Sequence, residues 1–254
     1  MTKIDRLSAL MSRFKLLVTP CDLTAANFLI LGDIAGHIPA EIRFAPGGAV
    51  VQSGGPAETI LLSARVEWGG SENPLLAALP PAIRHPVGQD PEMQALAQLL
   101  VTEKLVSRCG SASVLNRLGE VLIVRLMRAQ IEAGAMQRGL LGGLADARLS
   151  RAIVAIHDRP GHPWRVDTLA EEAGLSISRF AELFREAVGE TPLAYLRKWR
   201  LILARQDIER GERVQRVANR YAYGSTEALS RAISSAYGIS PLKIRKAAQP
   251  SANA

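Results

Sequence analysis

The chain has 254 residues, of which 48% are hydrophobic and 22% are charged. This composition excludes a disordered protein and suffices for one large domain or two ordinary ones. No run approaches the ~18 uncharged apolar residues that a membrane helix needs. The first six residues lack the apolar stretch of a signal peptide, and Cys21 and Cys109 have no C-x-x-C spacing. We therefore expect a cytosolic protein with reduced thiols and no membrane contact.

The net charge of +7 is concentrated in the second half of the chain. Residues 146–246 hold 18 Lys and Arg against 12 Asp and Glu, whereas the rest holds 13 against 12. A basic part joined to a near-neutral part indicates an anionic polymer as partner, although basic surface also serves solubility.

Short apolar runs separated by turn residues predict strands near the start of the chain. The runs are Phe28–Leu31, Ile42–Phe44, Ala49–Val51 and Thr59–Leu62. Turns are predicted at Gly32-Asp33, Pro46–Gly48 and Ser53–Pro56, and a proline-rich stretch follows. We predict a small all-β unit within residues 1–88.

Two helices are predicted next, on either side of Arg108–Gly110. Asp90-Pro91-Glu92 suits a helix start, since it supplies an N-cap, a first-turn proline and an acid at the positive end of the dipole. The second helix begins at Ser111 or Ser113, ends near Ile131, and has a wide apolar stripe. That stripe could pack on the β unit or pair with a second subunit. We predict a hairpin at 89–135 that forms a homodimer through 89–131, followed by a linker at 136–145.

A duplicated pattern in the last hundred residues predicts two similar supersecondary units. Gly189-Glu190-Thr191-Pro192 recurs as Gly238-Ile239-Ser240-Pro241. In the first copy, a short helix from Val166 is followed by a turn at Gly174, where glycine tolerates a positive φ. A second helix ends near Val188 and buries Phe180 and Phe184. Helix, tight turn and helix make a helix-turn-helix.

A long basic helix, from Pro192 to about Arg210, joins the two copies. Its ~18 residues span roughly 27 Å, so it could hold two reading helices about one DNA turn apart on one face of a duplex. In the second copy, Val217 and Ala218 line the first helix, and the helix Thr226–Ala236 buries Leu229 and Ile233.

Polar side chains on the second helix of each copy are the candidate base contacts, and basic residues on the long helix and near the C-terminus are the candidate phosphate contacts. The complete predicted DNA-binding set is Ser176, Ser178, Arg179, Glu182, Arg185, Arg197, Arg200, Ser225, Thr226, Glu227, Arg231, Lys243 and Arg245. The serines Ser176 and Ser178 are also candidate helix caps.

These residues resemble the DNA-binding domain of AraC/XylS-type transcription regulators, which has two helix-turn-helix units joined by a helix. The resemblance covers about 100 of the 254 residues. It rests on Trp164, Leu169-Ala170, Ala173–Ser176, Phe180, Phe184, Gly189, Thr191-Pro192, Tyr195, Val217-Ala218, Ser230–Ala232 and Gly238–Pro241. It implies sequence-specific binding to double-stranded DNA.

The second copy departs from that pattern at three positions. Ala222 stands where the family has a turn glycine, and Leu229 and Ile233 replace an aromatic pair. A missing turn glycine costs about 1 kcal/mol if φ is positive there, whereas Leu and Ile cost little if the core repacks.

The N-terminal half resembles the cupin-type sensor of one branch of this family. Leu75–Pro81 and the turns around Gly32 and Gly36-His37 carry that resemblance. A closed barrel needs about eight strands, and we count about five, so the unit is either a ligand sensor or a shortened barrel for docking. His37 and Glu41 would leave a metal short of the three protein ligands of a catalytic site. We predict no metal, no cofactor and no catalytic residue.

The predicted fold class is therefore α+β: an incomplete cupin-like β unit with a helical hairpin, then an all-α domain at 146–248. The predicted function is a DNA-binding transcription regulator. RNA polymerase is a candidate partner, and a small-molecule effector stays open. The alternatives are a protein-interaction module with weakened DNA readout and a cupin-like metalloenzyme.

Overall fold

The computed structural model describes residues 14–33, 35–51, 59–69, 73–132 and 139–248. It divides into two compact units, Phe14–Ala145 and the residues from Asp146 onward. The predicted turn at Ser53–Pro56, residues 133–135 of the predicted hairpin and residues 136–138 of the predicted linker lie outside the described residues.

The first unit is built on an antiparallel sheet. Within the described residues its five strands are β1 Leu16–Pro20, β2 Phe28–Gly32, β3 Pro39–Phe44, β4 Ile60–Trp68 and β5 Ile83–Pro86, in the spatial order β1-β4-β2-β3-β5. Its helices are α1 Pro74–Ala78, α2 Pro91–Val106, α3 Ser111–Glu132 and α4 Leu140–Ala145. The central strand β2 is buried on both faces, which explains why its apolar residues are consecutive.

The strand predictions were only partly correct. Ala49–Val51 is not a strand, because it follows a turn at Pro46-Gly47 and leaves the sheet. The strands β1 and β5 were missed, and β5 lies in the stretch that appeared to be only proline-rich. Both strands pair with sequence-distant partners, β1 with β4 and β5 with β3, so local patterns gave little signal.

The helical hairpin packs closely on this sheet. A side chain at Gly119 of α3 would lie 2.7 Å from Cβ of Val18, so helix and strand approach as near as glycine allows. The backbone N–H of Val18 donates to Oδ1 of Asn116 at 2.8 Å. One face of α3 therefore packs on β1. Packing on the β unit was one of the two roles that the sequence left open for the apolar stripe.

The second unit is helical throughout. Its elements are α5 Leu149–Asp158, α6 Val166–Ala173, α7 Ile177–Val188, α8 Pro192–Glu209, α9 Val214–Arg220, α10 Thr226–Tyr237 and α11 Pro241–Ala248. The long helix α8 contacts α6, α7, α9, α10 and α11. Trp164, Trp199 and Tyr221 are buried in its core.

Candidate nucleic-acid interface

The first helix-turn-helix consists of α6, a turn at Gly174, and α7. Gly174 has φ +67° and ends α6, so the predicted left-handed turn is confirmed. Phe180 and Phe184 are fully buried, with ring centroids 5.5 Å apart in an edge-to-face arrangement. Gly189, also left-handed, ends α7. These apolar anchors fix which face of α7 is turned outward.

The predicted contacts on α7 all lie on that outward face: Ser176, Ser178, Arg179, Glu182 and Arg185 are exposed. Nη1 of Arg179 pairs with Oε2 of Glu182 at 2.7 Å, so the two side chains lie together at the surface. Ser176 occupies the N-cap position without a side-chain cap bond, and Ser178 lies within the helix. Neither serine is therefore the side-chain cap that the sequence suggested.

Sequence reasoning missed Ile177, the first residue of α7. Its side chain is 55% exposed between the two serines. An exposed isoleucine at the start of a reading helix can contact a thymine methyl group. The available signal was an apolar residue off the buried stripe of a helix whose core positions were already assigned.

The second helix-turn-helix consists of α9, a turn at Ala222, and α10. Ala222 has φ +56°, which confirms the positive φ on which the predicted strain depends. Leu229 and Ile233 are fully buried, so the smaller pair fills the positions of the two phenylalanines. The backbone therefore repeats although the core and the turn residue differ.

The start of α10 is capped more completely than that of α7. Oγ of Ser225 accepts from the backbone N–H of Ala228 at 3.1 Å, and Thr226 hydrogen-bonds Gln215 of α9. The backbone N–H of Glu227 and the Ser225 hydroxyl hold the pKa of the Glu227 carboxyl below its usual range. Glu227 and Arg231 are exposed on the same helix, while Ser225 and Thr226 are half-buried.

The bridging helix α8 places its two predicted phosphate contacts differently. Arg197 is exposed, whereas the guanidinium of Arg200 donates to the carbonyls of Pro160 and His162, at 2.7 Å each. Arg200 thus has a structural role in tethering the loop before α6. A loop some 40 residues away supplies these acceptors, so sequence spacing gave no warning of them.

A buried carboxylate connects α8 to the second helix-turn-helix. The sequence analysis did not predict this contact. Asp207 is 4% exposed and accepts from Tyr221 Oη at 2.7 Å and from Nη1 of Arg220 at 2.5 Å. Arg210 adds a bond of 3.3 Å. The sequence signal was weak, since Asp207 follows Arg205 and Gln206 and only its neighbour Ile208 marks the buried side of the helix.

The last predicted contacts are on α11. Lys243 is exposed and Arg245 is half-buried, beside the buried Ile244 that anchors the helix. The basic residues at this end of the unit therefore remain at its surface.

Two family models match the chain. One, described as a helix-turn-helix domain, matches residues 169–247, and the other, described as a cupin, matches residues 30–132. The match to the first model includes both reading helices and the bridge. The match to the second includes β3, β4 and β5 and extends through the hairpin. In these two regions the chain is similar to transcription regulators of the AraC type.

Curated relatives carry the same designation. A putative AraC-like transcription regulator of Streptomyces antibioticus is 33% identical over 69% of this chain and 59% of its own length. The regulator AlkR of Acinetobacter baylyi is 34% identical over 68% of this chain and 58% of its own. The chain therefore spans less than two thirds of the length of either relative. Among solved structures, the DNA-binding domain of AdpA, in complex with a target DNA, is 28% identical over 40% of this chain and 93% of that one, with a TM-score of 0.38.

The described residues of the N-terminal half do not assemble the metal-ligand set of a cupin enzyme at Glu41. The Glu41 carboxylate accepts from Arg84 Nε at 2.6 Å and from Arg43 Nε at 3.2 Å. These partners lower the pKa of Glu41 to about 2. His37 lies in an exposed turn, and in the described part of the chain no three His, Cys, Asp or Glu residues are grouped as a metal site. None of the described helices is long and apolar enough to cross a bilayer.

The names of these relatives help to decide between the alternative functions, a metalloenzyme and a protein-interaction module. The relatives are named as regulators, which favours a non-enzymatic role. A protein-interaction module with weakened DNA readout is not favoured either. The second helix-turn-helix, despite its altered residues, keeps a capped helix α10 with exposed polar side chains.

Proposed function

We propose that this chain is a sequence-specific DNA-binding transcription regulator acting in the cytoplasm. The observation that carries the proposal is the repeated helix-turn-helix, in which α7 and α10 each bury one face and present a polar one. The base-contacting set would be Ile177, Ser178, Arg179, Glu182 and Arg185 on α7, and Thr226, Glu227 and Arg231 on α10, with Ser176 and Ser225 at the helix starts near the backbone. Phosphate contacts would come from Arg197, Lys243 and Arg245.

The length of α8 supports reading of successive major grooves. Its 18 residues span about 27 Å, and successive major-groove faces on one side of a duplex are about 34 Å apart. Helices at the two ends of such a bridge would enter grooves on the same side of the DNA.

Selection of bound duplexes from a random pool tests the function directly. We expect one enriched motif with two elements, bound with an affinity that falls steeply with salt because phosphate contacts release counterions. Gel shifts of the selected duplex at several salt concentrations measure that slope. A pool with no enriched sequence after repeated rounds at low salt would contradict the proposal.

Replacing Arg179 by Ala separates base readout from phosphate contact. We expect about a tenfold or larger loss on the selected duplex and little change on random duplex, as for a base-contacting arginine. Arg165→Ala is the control, since Arg165 is an exposed arginine of the same unit outside α7 and pairs with Asp167. Equal losses on both duplexes would make Arg179 a phosphate contact.

The homodimer prediction has a specific surface. We define the hairpin patch as the exposed apolar residues Leu99, Leu105 and Val106 of α2 with Val114 and Val121 of α3. Leu99 and Val106, like Val114 and Val121, are seven residues apart, the spacing of a helix-pairing seam. A second copy presenting the same patch would cover it.

Sedimentation of the double variant Leu105→Glu/Val114→Glu tests this interface. We expect monomers where the unmodified chain forms dimers, because two charges would be buried in an apolar seam. Ala112→Glu is the matched control, as Ala112 is exposed on the opposite side of α3 from Val114. An unchanged dimer would place the interface elsewhere.

An effector and RNA polymerase remain predictions of the family resemblance. The first unit does have a cleft of about 550 Å³ between the start of β3, the end of β5 and α2. It is lined in part by Asp33, Ile38 and Gln94. Its volume is in the range of small-molecule sites, and a library screen by thermal shift would show whether a ligand occupies it.

A further inference from the structure

We propose that α8 fixes the base-pair spacing between the two DNA elements that this protein accepts, through contacts named here the α8 clamp: Arg200, Gly161, Asp207 and Arg220. Their role is positioning, since they would act through the reading helices without touching bases. This inference rests on the proposed DNA-binding function and deepens it.

The first half of the clamp holds the loop before α6. Nε of Arg200 donates to the Pro160 carbonyl and Nη2 donates to the His162 carbonyl, both at 2.7 Å. A planar guanidinium that binds two carbonyls in one loop sets the position of that loop as well as its distance from the helix. The loop leads through Trp164, which is buried, into the first helix-turn-helix.

The second half of the clamp holds the end of α9. Asp207 accepts from Arg220 Nη1 and from Tyr221 Oη, and both donors directly precede the turn at Ala222. The hydrogen bond from Arg220 to Asp207 raises the pKa of that guanidinium. The carboxylate is buried, so exchange of its partners for water is restricted. The entry to the second reading helix is thereby tied to α8.

Both halves lie on one face of α8. Arg200 and Asp207 are seven residues apart, which is about two helical turns. One side of α8 therefore binds both the loop that precedes the first helix-turn-helix and the end of α9 in the second helix-turn-helix.

The two held segments also touch each other. A Cβ built on Gly161 would lie 2.1 Å from the backbone oxygen of Arg220, so any side chain there would force the segments apart. Gly161 lies between the two residues whose carbonyls Arg200 binds. These three contacts connect α8, the loop before α6 and the end of α9 to one another. A displacement of either helix-turn-helix must therefore break at least one of the contacts.

A fixed geometry has a measurable consequence on DNA. One inserted base pair shifts the second element by about 3.4 Å and rotates it by about 35°. A rigid pair of readers cannot follow that shift without losing contacts, whereas a loosened pair can. The clamp should therefore be visible as discrimination between spacings, separately from overall affinity.

The experiment uses the full chain and a duplex selected by it from a random pool, together with versions that carry one base pair fewer, one more and two more between the elements. We expect the unmodified chain to bind the shifted duplexes about tenfold or more weakly, as for the loss of one or more base contacts. Arg220→Gln and Asp207→Asn should reduce that ratio to about threefold or less. Arg216→Gln is the control, since Arg216 is an exposed arginine of α9 that pairs with Glu212 and is not a partner of Asp207.

The outcomes are distinguishable. If the clamp variants fold, bind the parent duplex and keep the unmodified spacing ratio, the proposal is overturned. An unmodified chain that accepts all spacings equally overturns it too, while the DNA-binding function stands. A chain that selects no sequence contradicts the proposed function, and this inference with it. If Asp207→Asn does not fold, Arg220→Gln decides, because Arg220 is exposed and can be replaced without leaving a cavity.

Discussion

The two helix-turn-helix units share one backbone but are stabilised by different chemistry. The first helix-turn-helix has a glycine turn and two packed aromatic rings, and it packs against α5, which carries the buried His157. The second has an alanine in a left-handed turn, two aliphatic residues and a buried carboxylate. Together they indicate that the fold needs buried apolar side chains and a left-handed turn residue at equivalent positions. The residue types at these positions can differ.

The largest expected effects concern the apolar anchors of the two helix-turn-helix units. Phe180→Ala should lower the free energy of unfolding by about 4 kcal/mol and Leu229→Ala by about 3 kcal/mol, because a deleted ring leaves the larger cavity. Urea unfolding followed by tryptophan fluorescence measures both, in a Trp68→Phe background so that the signal comes from Trp164 and Trp199. Ile233→Val is the mild control at about 1 kcal/mol. Equal losses for the phenylalanine and leucine variants would show that the first core collapses around its cavity.

A pH dependence should come from His157 of α5, the helix that packs on α6 and α7. His157 is 3% exposed, its Nε2 lies 2.5 Å from Tyr195 Oη, and burial lowers its pKa to about 3. The unfolded chain binds this proton near pH 6.5, so stability is complete above that pH and falls as pH decreases toward 3. At pH 5 the loss should be about 2 kcal/mol relative to pH 7.5.

The variant His157→Gln tests that assignment. It removes the titrating ring while keeping a group that can bond Tyr195, so the difference between the two chains isolates the contribution of His157 from that of the carboxyl groups. The same slope between pH 7.5 and pH 5 in both chains would assign the dependence to other groups.

The two turns predict opposite effects of exchanging glycine and alanine. Ala222→Gly should stabilise the chain by about 1 kcal/mol, because glycine adopts φ +56° without strain. Gly174→Ala should destabilise it by a similar amount, because φ is +67° there. Steric crowding adds nothing to this cost, since the nearest atom to a new Cβ, in Arg151, is at an ordinary 3.6 Å. Denaturant midpoints report both, and a destabilising Ala222→Gly would mean that unfolded-state entropy outweighs the strain.

The smallest expected difference is in the helix starts. Ser225→Ala should cost about 0.5–1 kcal/mol, since it removes the cap bond to Ala228. Ser176→Ala should cost less, because no side-chain cap bond is formed there. Equal costs in thermal unfolding would indicate that Ser176 caps α7 in solution.

The ends of α6, α7, α8 and α10 could be predicted to within about a residue because they are chemically marked. Glycines in left-handed conformation end α6, α7 and α10, and Thr191-Pro192 starts α8. The sheet was harder, since β1 and β5 are defined by partners far along the chain. Outward positions on α7 could be predicted from helical periodicity, whereas Arg200 and Asp207 could not, because their roles depend on which segment folds against them.

The contact between Asn116 and Val18 has a consequence for truncation. β1 is an outer strand of the sheet, and outer strands with open backbone groups recruit strands from other molecules. By occupying that N–H and covering β1, α3 shields this edge of the sheet from such pairing. A chain shortened to end before Ser111 would expose this edge, so precipitation of such a fragment would reflect the lost shield rather than a failure of the sheet to form.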